Sequence, residues 1–238
     1  MHKLKTPWSS NMGTTRVSRE FRERYLEPEK IAVKKWMGRN MGESVLDVGA
    51  GDGRFTKLAL DLGAKRIVAL DIDDEMISKL RSISSSPNLE VVKANIREYQ
   101  LADREFDTIM VLGNTVSGFY DAFENGEKSA QAETLRKLIR ASKRHLFFTL
   151  QRPESYDLIR RFYEVNHWDL YGLDAETGVK RMRWQMKDGS LIEVRSQHFR
   201  REQVEKLLSE AGIPQTAYTI SPINDINWQI EVRTGLVV

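Results

Sequence analysis

The chain has 238 residues, 40% of them apolar and 30% charged, with 37 Lys and Arg against 34 Asp and Glu for a net charge of +3. That is enough apolar material for a sizeable core, and the near-balance of charge neither demands nor excludes a nucleic acid partner. The absence of cysteine excludes disulfides, thiolate zinc sites, iron–sulfur clusters and cysteine nucleophiles, and it fits a reducing cytoplasm.

Residues 1–17 read as irregular and mostly basic, and Met1 to Ser10 has no apolar run of the signal-peptide kind. Ser18 is placed to cap a helix carrying Phe21, Tyr25 and Leu26, and Pro28 to open a second helix running to about Gly38. From Ser44 the pattern changes. Val45, Leu46 and Val48 form a short strand that runs into a glycine cluster, and Arg54 to Leu62 reads as a helix closed by Gly63. Arg66 to Leu70 is a second strand, Asp74 to Arg81 a helix, and Leu89 to Val92 a third strand. Phe106 to Leu112 has the continuous apolar run of a strand buried on both faces, followed by a helix from Lys128 to Arg140 and a fifth strand from His145 to Leu150. Arg181 to Met186 and Ser190 to His198 flank Asp188-Gly189, a hairpin signal. Arg201 to Ala211 is a helix ended by Gly212, and Ala217 to Ile220 and Trp228 to Val232 are two closing strands.

Strands alternating with helices predict an α/β fold: a doubly wound, seven-stranded, mainly parallel sheet with an antiparallel C-terminal strand pair. An N-terminal helical extension and an inserted β-hairpin complete it. No linker divides the chain, so one domain is expected: extension 1–40, ligand-binding core 41–150, insertion or lid 151–200, and closing helix and strands 201–238. The longest uncharged stretch, Ala211 to Asn224, has 14 residues and two prolines. It falls short of the roughly 18–20 a membrane span needs, so no membrane partner and a cytoplasmic location are expected. The scattered histidines predict no metal site.

The chemistry is concentrated in Asp47-Val48-Gly49-Ala50-Gly51-Asp52-Gly53-Arg54. A strand enters three alternating glycines and leaves as a helix, so a ligand can approach the backbone closely at the carboxyl end of the first strand. The third glycine comes one position earlier than in the dinucleotide fingerprint, and the loop opens with an acid. A carboxylate there suits a cationic ligand end better than a diphosphate. Asp71 ends the second strand, where an acid can accept hydrogen bonds from two ribose hydroxyls. Together these residues point to a nucleoside with a positively charged tail.

Asp47-x-Gly49-x-Gly51-x-Gly53 followed by Asp71 resembles the class I S-adenosylmethionine-dependent methyltransferases, over about residues 40–150. The resemblance implies S-adenosylmethionine as cofactor and S-adenosylhomocysteine as product. It places Gly49, Ala50, Gly51 and Gly53 along the methionine part and Asp47 near its amino group. Asp71 would hold the ribose, with Ile72 beside the adenine and Asn95-Ile96 against the adenine ring; the family often has Asp where Asn95 stands. Leu112-Gly113-Asn114 would mark the place of the transferred methyl and the acceptor.

The acceptor is less legible. Cysteine-dependent methylation at pyrimidine carbon is excluded, and Gly113-Asn114-Thr115-Val116 lacks the Asn/Asp-Pro-Pro-Tyr/Phe pattern of enzymes that methylate exocyclic base amines. It is closer to the Gly-Asn-Ser/Thr of some small-molecule N-methyltransferases. Asn114 and His198 are the candidate catalytic residues. Tyr25, Tyr120, Arg152, Trp168 and Trp184 are the candidate acceptor-binding residues, beside Trp8, Phe119, His167, Tyr171 and Arg183, although the aromatics equally suit plain packing. A small-molecule acceptor methylated at nitrogen or oxygen is the expectation. RNA is the rival, since Arg16, Arg19, Arg22 and Arg24 are basic; yet Glu20, Glu23, Glu27 and Glu29 interleave with them. A protein acceptor, a cofactor-binding sensor or inactive partner subunit, and a homo-oligomer remain open.

Overall fold

A computed structural model describes residues 18–83, 85–119, 130–165, 168–185 and 191–237. The chain opens with α1 (Arg19–Phe21), a π turn (Arg22–Leu26) and α2 (Glu27–Asn40). These form one continuous helical run instead of the expected two helices. Ser18 caps it, its Oγ accepting from Phe21 N at 3.0 Å. Pro28 sits inside the run because the π turn before it changes the bonding register. Lacking an N–H, it cannot bond the Arg24 carbonyl four residues back, and Asn224 Nδ2 donates to that oxygen instead, at 2.7 Å.

Five parallel strands follow: β1 (Ser44–Val48), β2 (Arg66–Asp71), β3 (Leu89–Lys93), β4 (Phe106–Val111) and β5 (Ser142–Gln151). Helices α3 (Arg54–Asp61), α4 (Asp74–Ile83) and α5 (Gln131–Ala141) alternate with them. Beyond β5 come α6 (Tyr156–Val165), β6 (Trp168–Leu173), β7 (Val179–Gln185), β8 (Leu191–Gln197), α7 (Arg201–Glu210), β9 (Tyr218–Pro222) and β10 (Asn227–Arg233). The main sheet has seven strands in the order β3-β2-β1-β4-β5-β10-β9, with β10 antiparallel to both β5 and β9. The order reverses between β1 and β4, so their carboxyl ends open the crevice where such sheets take ligands.

Alternation along the strands builds a core on each face. Leu46, Val48, Ile109, Val111 and Phe148 pack beneath Leu135 and Leu138 of α5 and Val204 and Leu208 of α7. Val45, Met110, Leu112 and Phe147 pack against Val33, Trp36 and Met37 of α2 and Phe55 and Leu58 of α3. The Trp36 ring lies flat on Phe147, 4.1 Å between centroids. The N-terminal helix is therefore part of the core, each buried side chain of this size contributing about 1.5–3 kcal/mol.

The insertion holds more than a hairpin. β6, β7 and β8 form a three-stranded antiparallel sheet, and α6 precedes it. Helix α6 was legible in principle, because Leu158, Ile159 and Phe162 share a face; the first two are buried and Phe162 stacks on Phe21 at 4.2 Å. Strand β6 is masked in sequence by Gly172 and by a register shift between Leu170 and Gly172. The expected Asp188-Gly189 turn lies outside the described residues.

Candidate functional site

The loop after β1 is folded over the end of β2. Gly49 N and Ala50 N both donate to Leu70 O, at 2.8 and 3.0 Å, and Gly51 N donates to Asp71 Oδ2 at 2.8 Å. Asp71 Oδ1 takes Asp73 N at 3.0 Å. One carboxylate thus fastens the glycine loop to the second strand, and each oxygen keeps acceptor capacity for a ligand hydroxyl. Burial raises the Asp71 pKa, while the bonds from Asp73 and Gly51 oppose the rise. Ile72 follows, half-buried at the same strand end.

Two glycines are required for different reasons. Gly53 has φ 82°, and a Cβ there would lie 1.8 Å from Ile83 Cδ1. Gly51 has φ 58°, and nothing lies within 4 Å of where its Cβ would be. The first glycine lets α3 start close against α4; the second leaves open space above the loop, where a ligand can come.

Asp47 is buried beneath this loop and accepts from Thr56 Oγ1 at 2.6 Å. Burial pushes its carboxyl up to about 6, with the Thr56 hydrogen bond and the Arg54 charge pulling the other way. Such a carboxylate is suited to a cationic partner, which would return it to its charged form.

The other expected cofactor residues divide. Asn95 is half-buried, and its Oδ1 accepts from Arg97 N at 3.1 Å, so the side chain shapes the turn after β3. Ile96 is a buried core residue whose carbonyl takes Lys137 Nζ at 2.9 Å. Leu112 is likewise core. Gly113, with φ 64°, donates from its N to Glu29 Oε1 and Thr149 Oγ1, both at 3.1 Å. Asn114 is left-handed too, φ 66°, a conformation Asn tolerates better than most side chains.

The acceptor candidates are sorted by their contacts. Asn114 Oδ1 accepts from Gln151 N at 3.0 Å. Gln151 Nε2 donates to Tyr25 Oη at 3.2 Å, and Gln151 Oε1 takes Lys180 Nζ at 2.8 Å. Lys180 Nζ lies 3.0 Å from His198 Nε2. The structure thus brings Tyr25, Asn114 and His198, far apart in sequence, around Gln151 at the carboxyl end of β5. It does not support His198 as a base. The ring is fully enclosed, and burial together with the neighbouring Lys180 charge holds its pKa down at about 2, so the imidazole stays neutral.

Arg152 also departs from expectation. Its guanidinium lies 4.4 Å over the Trp228 ring and donates to Asn224 O at 2.8 Å, so it braces the β9–β10 turn instead of offering charge to an acceptor. Trp168 and Trp184 are register partners across β6 and β7. Tyr120, Trp8 and His167 lie outside the described residues.

Sequence reasoning missed two buried charges. Glu29, fully buried, accepts from Thr149 Oγ1 at 2.6 Å and pairs with Arg54 Nη2 at 2.7 Å. The signal was its spacing: Glu29 shares a helix face with Val33 and Trp36. Lys180 is fully buried, and burial lowers its pKa to about 7. Its signal was alternation with the buried Met182 in one strand.

Known proteins agree with this geometry. Residues 45–140 match the model of a methyltransferase domain. The ubiquinone/menaquinone biosynthesis C-methyltransferase UbiE of Enterobacter sp. is 35% identical over 82 residues, 31% of this chain and 32% of that protein. A probable ribosomal RNA small subunit methyltransferase A of Methanopyrus kandleri is 35% identical over 60 residues, 25% of this chain and 21% of that protein. The chain thus spans about a third or less of the length of these relatives. In three dimensions, a putative S-adenosylmethionine-dependent methyltransferase from Listeria monocytogenes superposes with a TM-score of 0.60 at 15% identity, covering 87% of this chain and 98% of that one. Residues 45–140 thus match a methyltransferase domain, and the chain shares its fold with solved S-adenosylmethionine-dependent methyltransferases.

Proposed function

We propose that the protein is an S-adenosylmethionine-dependent methyltransferase acting on a nitrogen or oxygen of a small molecule. The observation that carries the cofactor reading is the joint geometry of Asp47, the open space over Gly51 and the Asp71 carboxylate bound to the same loop. An anion for the amino group, a bare backbone for the chain and an acceptor for the ribose hydroxyls fit this cofactor. When bound, it supplies a methyl group on a sulfonium, open to in-line displacement. The protein's share is to hold the acceptor in line and exclude water. Residues 1–40 and 151–200 are read as the acceptor-side walls of one methyltransferase domain over 1–238.

Two features favour a small acceptor. The ends of β4 and β5 are roofed by the N-terminal helix and the β7–β8 ladder, through Tyr25, Lys180 and His198. Two of the arginines that suggested RNA are held by acidic neighbours: Arg19 pairs with Glu23 at 2.6 Å and Arg24 with Asp225 at 2.9 Å. Phosphate contacts need uncommitted charge. The relatives' names describe a C-methyltransferase and a ribosomal RNA methyltransferase, so the shared segment carries no acceptor preference of its own.

Calorimetric titration with S-adenosylmethionine and S-adenosylhomocysteine tests the reading. Micromolar binding of both is expected; binding of neither overturns it. With the cofactor's methyl isotopically labelled, transfer to amines or hydroxy acids is expected, and label found in tRNA alone would overturn the small-molecule acceptor.

A further inference from the structure

Glu29 carries a carboxylate with no exposed surface, which a protein tolerates only when every oxygen is bonded. Oε1 is held by Thr149 Oγ1 at 2.6 Å and Gly113 N at 3.1 Å. Oε2 is held by Arg54 Nη2 at 2.7 Å. Arg54 is the first residue of α3, directly after the glycine loop. Its ring-stacked guanidinium lies 4.2 Å from the Phe55 centroid. The other terminal nitrogen, Nη1, is buried and has no hydrogen-bond partner among the described residues. A guanidinium is built to meet a carboxylate with two parallel N–H groups, so a buried, unpartnered Nη1 is a donor awaiting an acceptor. Asp47, whose carboxyl is raised by burial and pulled partly back by the Arg54 charge, lies within its electrostatic reach. The loop is thus flanked by one fixed anion and one fixed cation, the complement of an amino-acid zwitterion.

We propose that Glu29 is a positioning residue for the cofactor, holding Arg54 so that Nη1 receives the carboxylate of the cofactor's amino-acid end. This deepens the cofactor reading above and rests on it. It makes α2, outside the matched segment 45–140, a working part of the cofactor site. The same carboxylate grips Gly113 N, so the helix also fixes the end of β4, where the acceptor is expected.

The test compares S-adenosylhomocysteine with 5′-methylthioadenosine, which keeps the adenosine and the sulfur but lacks the amino acid. Glu29→Gln keeps the shape and loses the charge that orients Arg54. Arg54→Gln attacks the pair from its half-buried side and guards against a folding failure in the first variant. Each is expected to weaken S-adenosylhomocysteine at least tenfold while methylthioadenosine stays within twofold of the parent protein. Equal loss for both ligands would mean a merely structural role and overturn the proposal, as would unchanged affinity for S-adenosylhomocysteine. If the parent protein itself binds no S-adenosylhomocysteine, the cofactor reading fails and takes this inference with it.

Discussion

Asp47 keeps a carboxylate where burial favours its neutral form. Its pKa near 6 lies above the ordinary value of 3.8, so below about pH 6 the group is protonated and offers no charge to an ammonium. Affinity for S-adenosylhomocysteine should therefore fall as pH drops through 6. Asp47→Asn should bind more weakly at neutral pH and lose that step; titrations at several pH values check both. The two loop glycines give a second contrast. Both have positive φ, so alanine costs about 1–2 kcal/mol at either. Gly53→Ala adds a clash with Ile83, and overpacking of this kind costs a further ~1–3 kcal/mol. Gly51→Ala meets only open space in the protein. Urea unfolding should show Gly53→Ala to be the less stable, and calorimetry should show Gly51→Ala losing ligand affinity out of proportion to its stability.

The continuous helical run α1–α2 is held where its own bonding fails. Pro28 frees the Arg24 carbonyl, and Asn224, from the turn before β10, caps it across nearly the whole sequence. Asn224 Oδ1 also accepts from Ile226 N and Asn227 N, at 2.9 and 3.0 Å, so one side chain shapes its own turn and docks the helix. Asn224→Ala should cost about 1–3 kcal/mol, because three hydrogen bonds, one exposed and two partly buried, are lost together. Faster amide exchange across residues 22–29 is the local signature; unchanged exchange there would show that the π turn holds without the cap.

At the scale of the molecule, the insertion is joined to the main sheet through buried polar groups. Lys180 titrates near 7 in the folded protein against 10.5 unfolded. Between those values the unfolded chain binds more protons, so this group makes stability rise with pH from about 7 toward 10.5. His198, depressed to about 2, works in the same direction from pH 6.5 downward: stability falls as the unfolded imidazole takes up protons. Lys180→Met should flatten the slope of melting temperature against pH above 7. An identical slope in the variant would show that Lys180 is not charged differently in the two states.

The sequence by itself determined the strand–helix alternation, the strand ends and the glycine loop with Asp47 and Asp71. These depend on local information: the 2- and 3.6-residue periods, and backbone angles that only glycine adopts cheaply. It also placed Tyr25, Asn114 and His198 among the residues of interest without any means of joining them. Only the tertiary structure decided that Gln151 and Lys180 link them, that His198 is neutral, that Arg152 braces a turn, and that Glu29 and Arg54 meet beside the loop. A charged side chain reads as solvent-facing until the element that covers it is known. That cover comes from segments distant in sequence, here α2 over β4 and β5 and the β7–β8 ladder against Gln151, so the partner and the titration of each buried charge are properties of the packing.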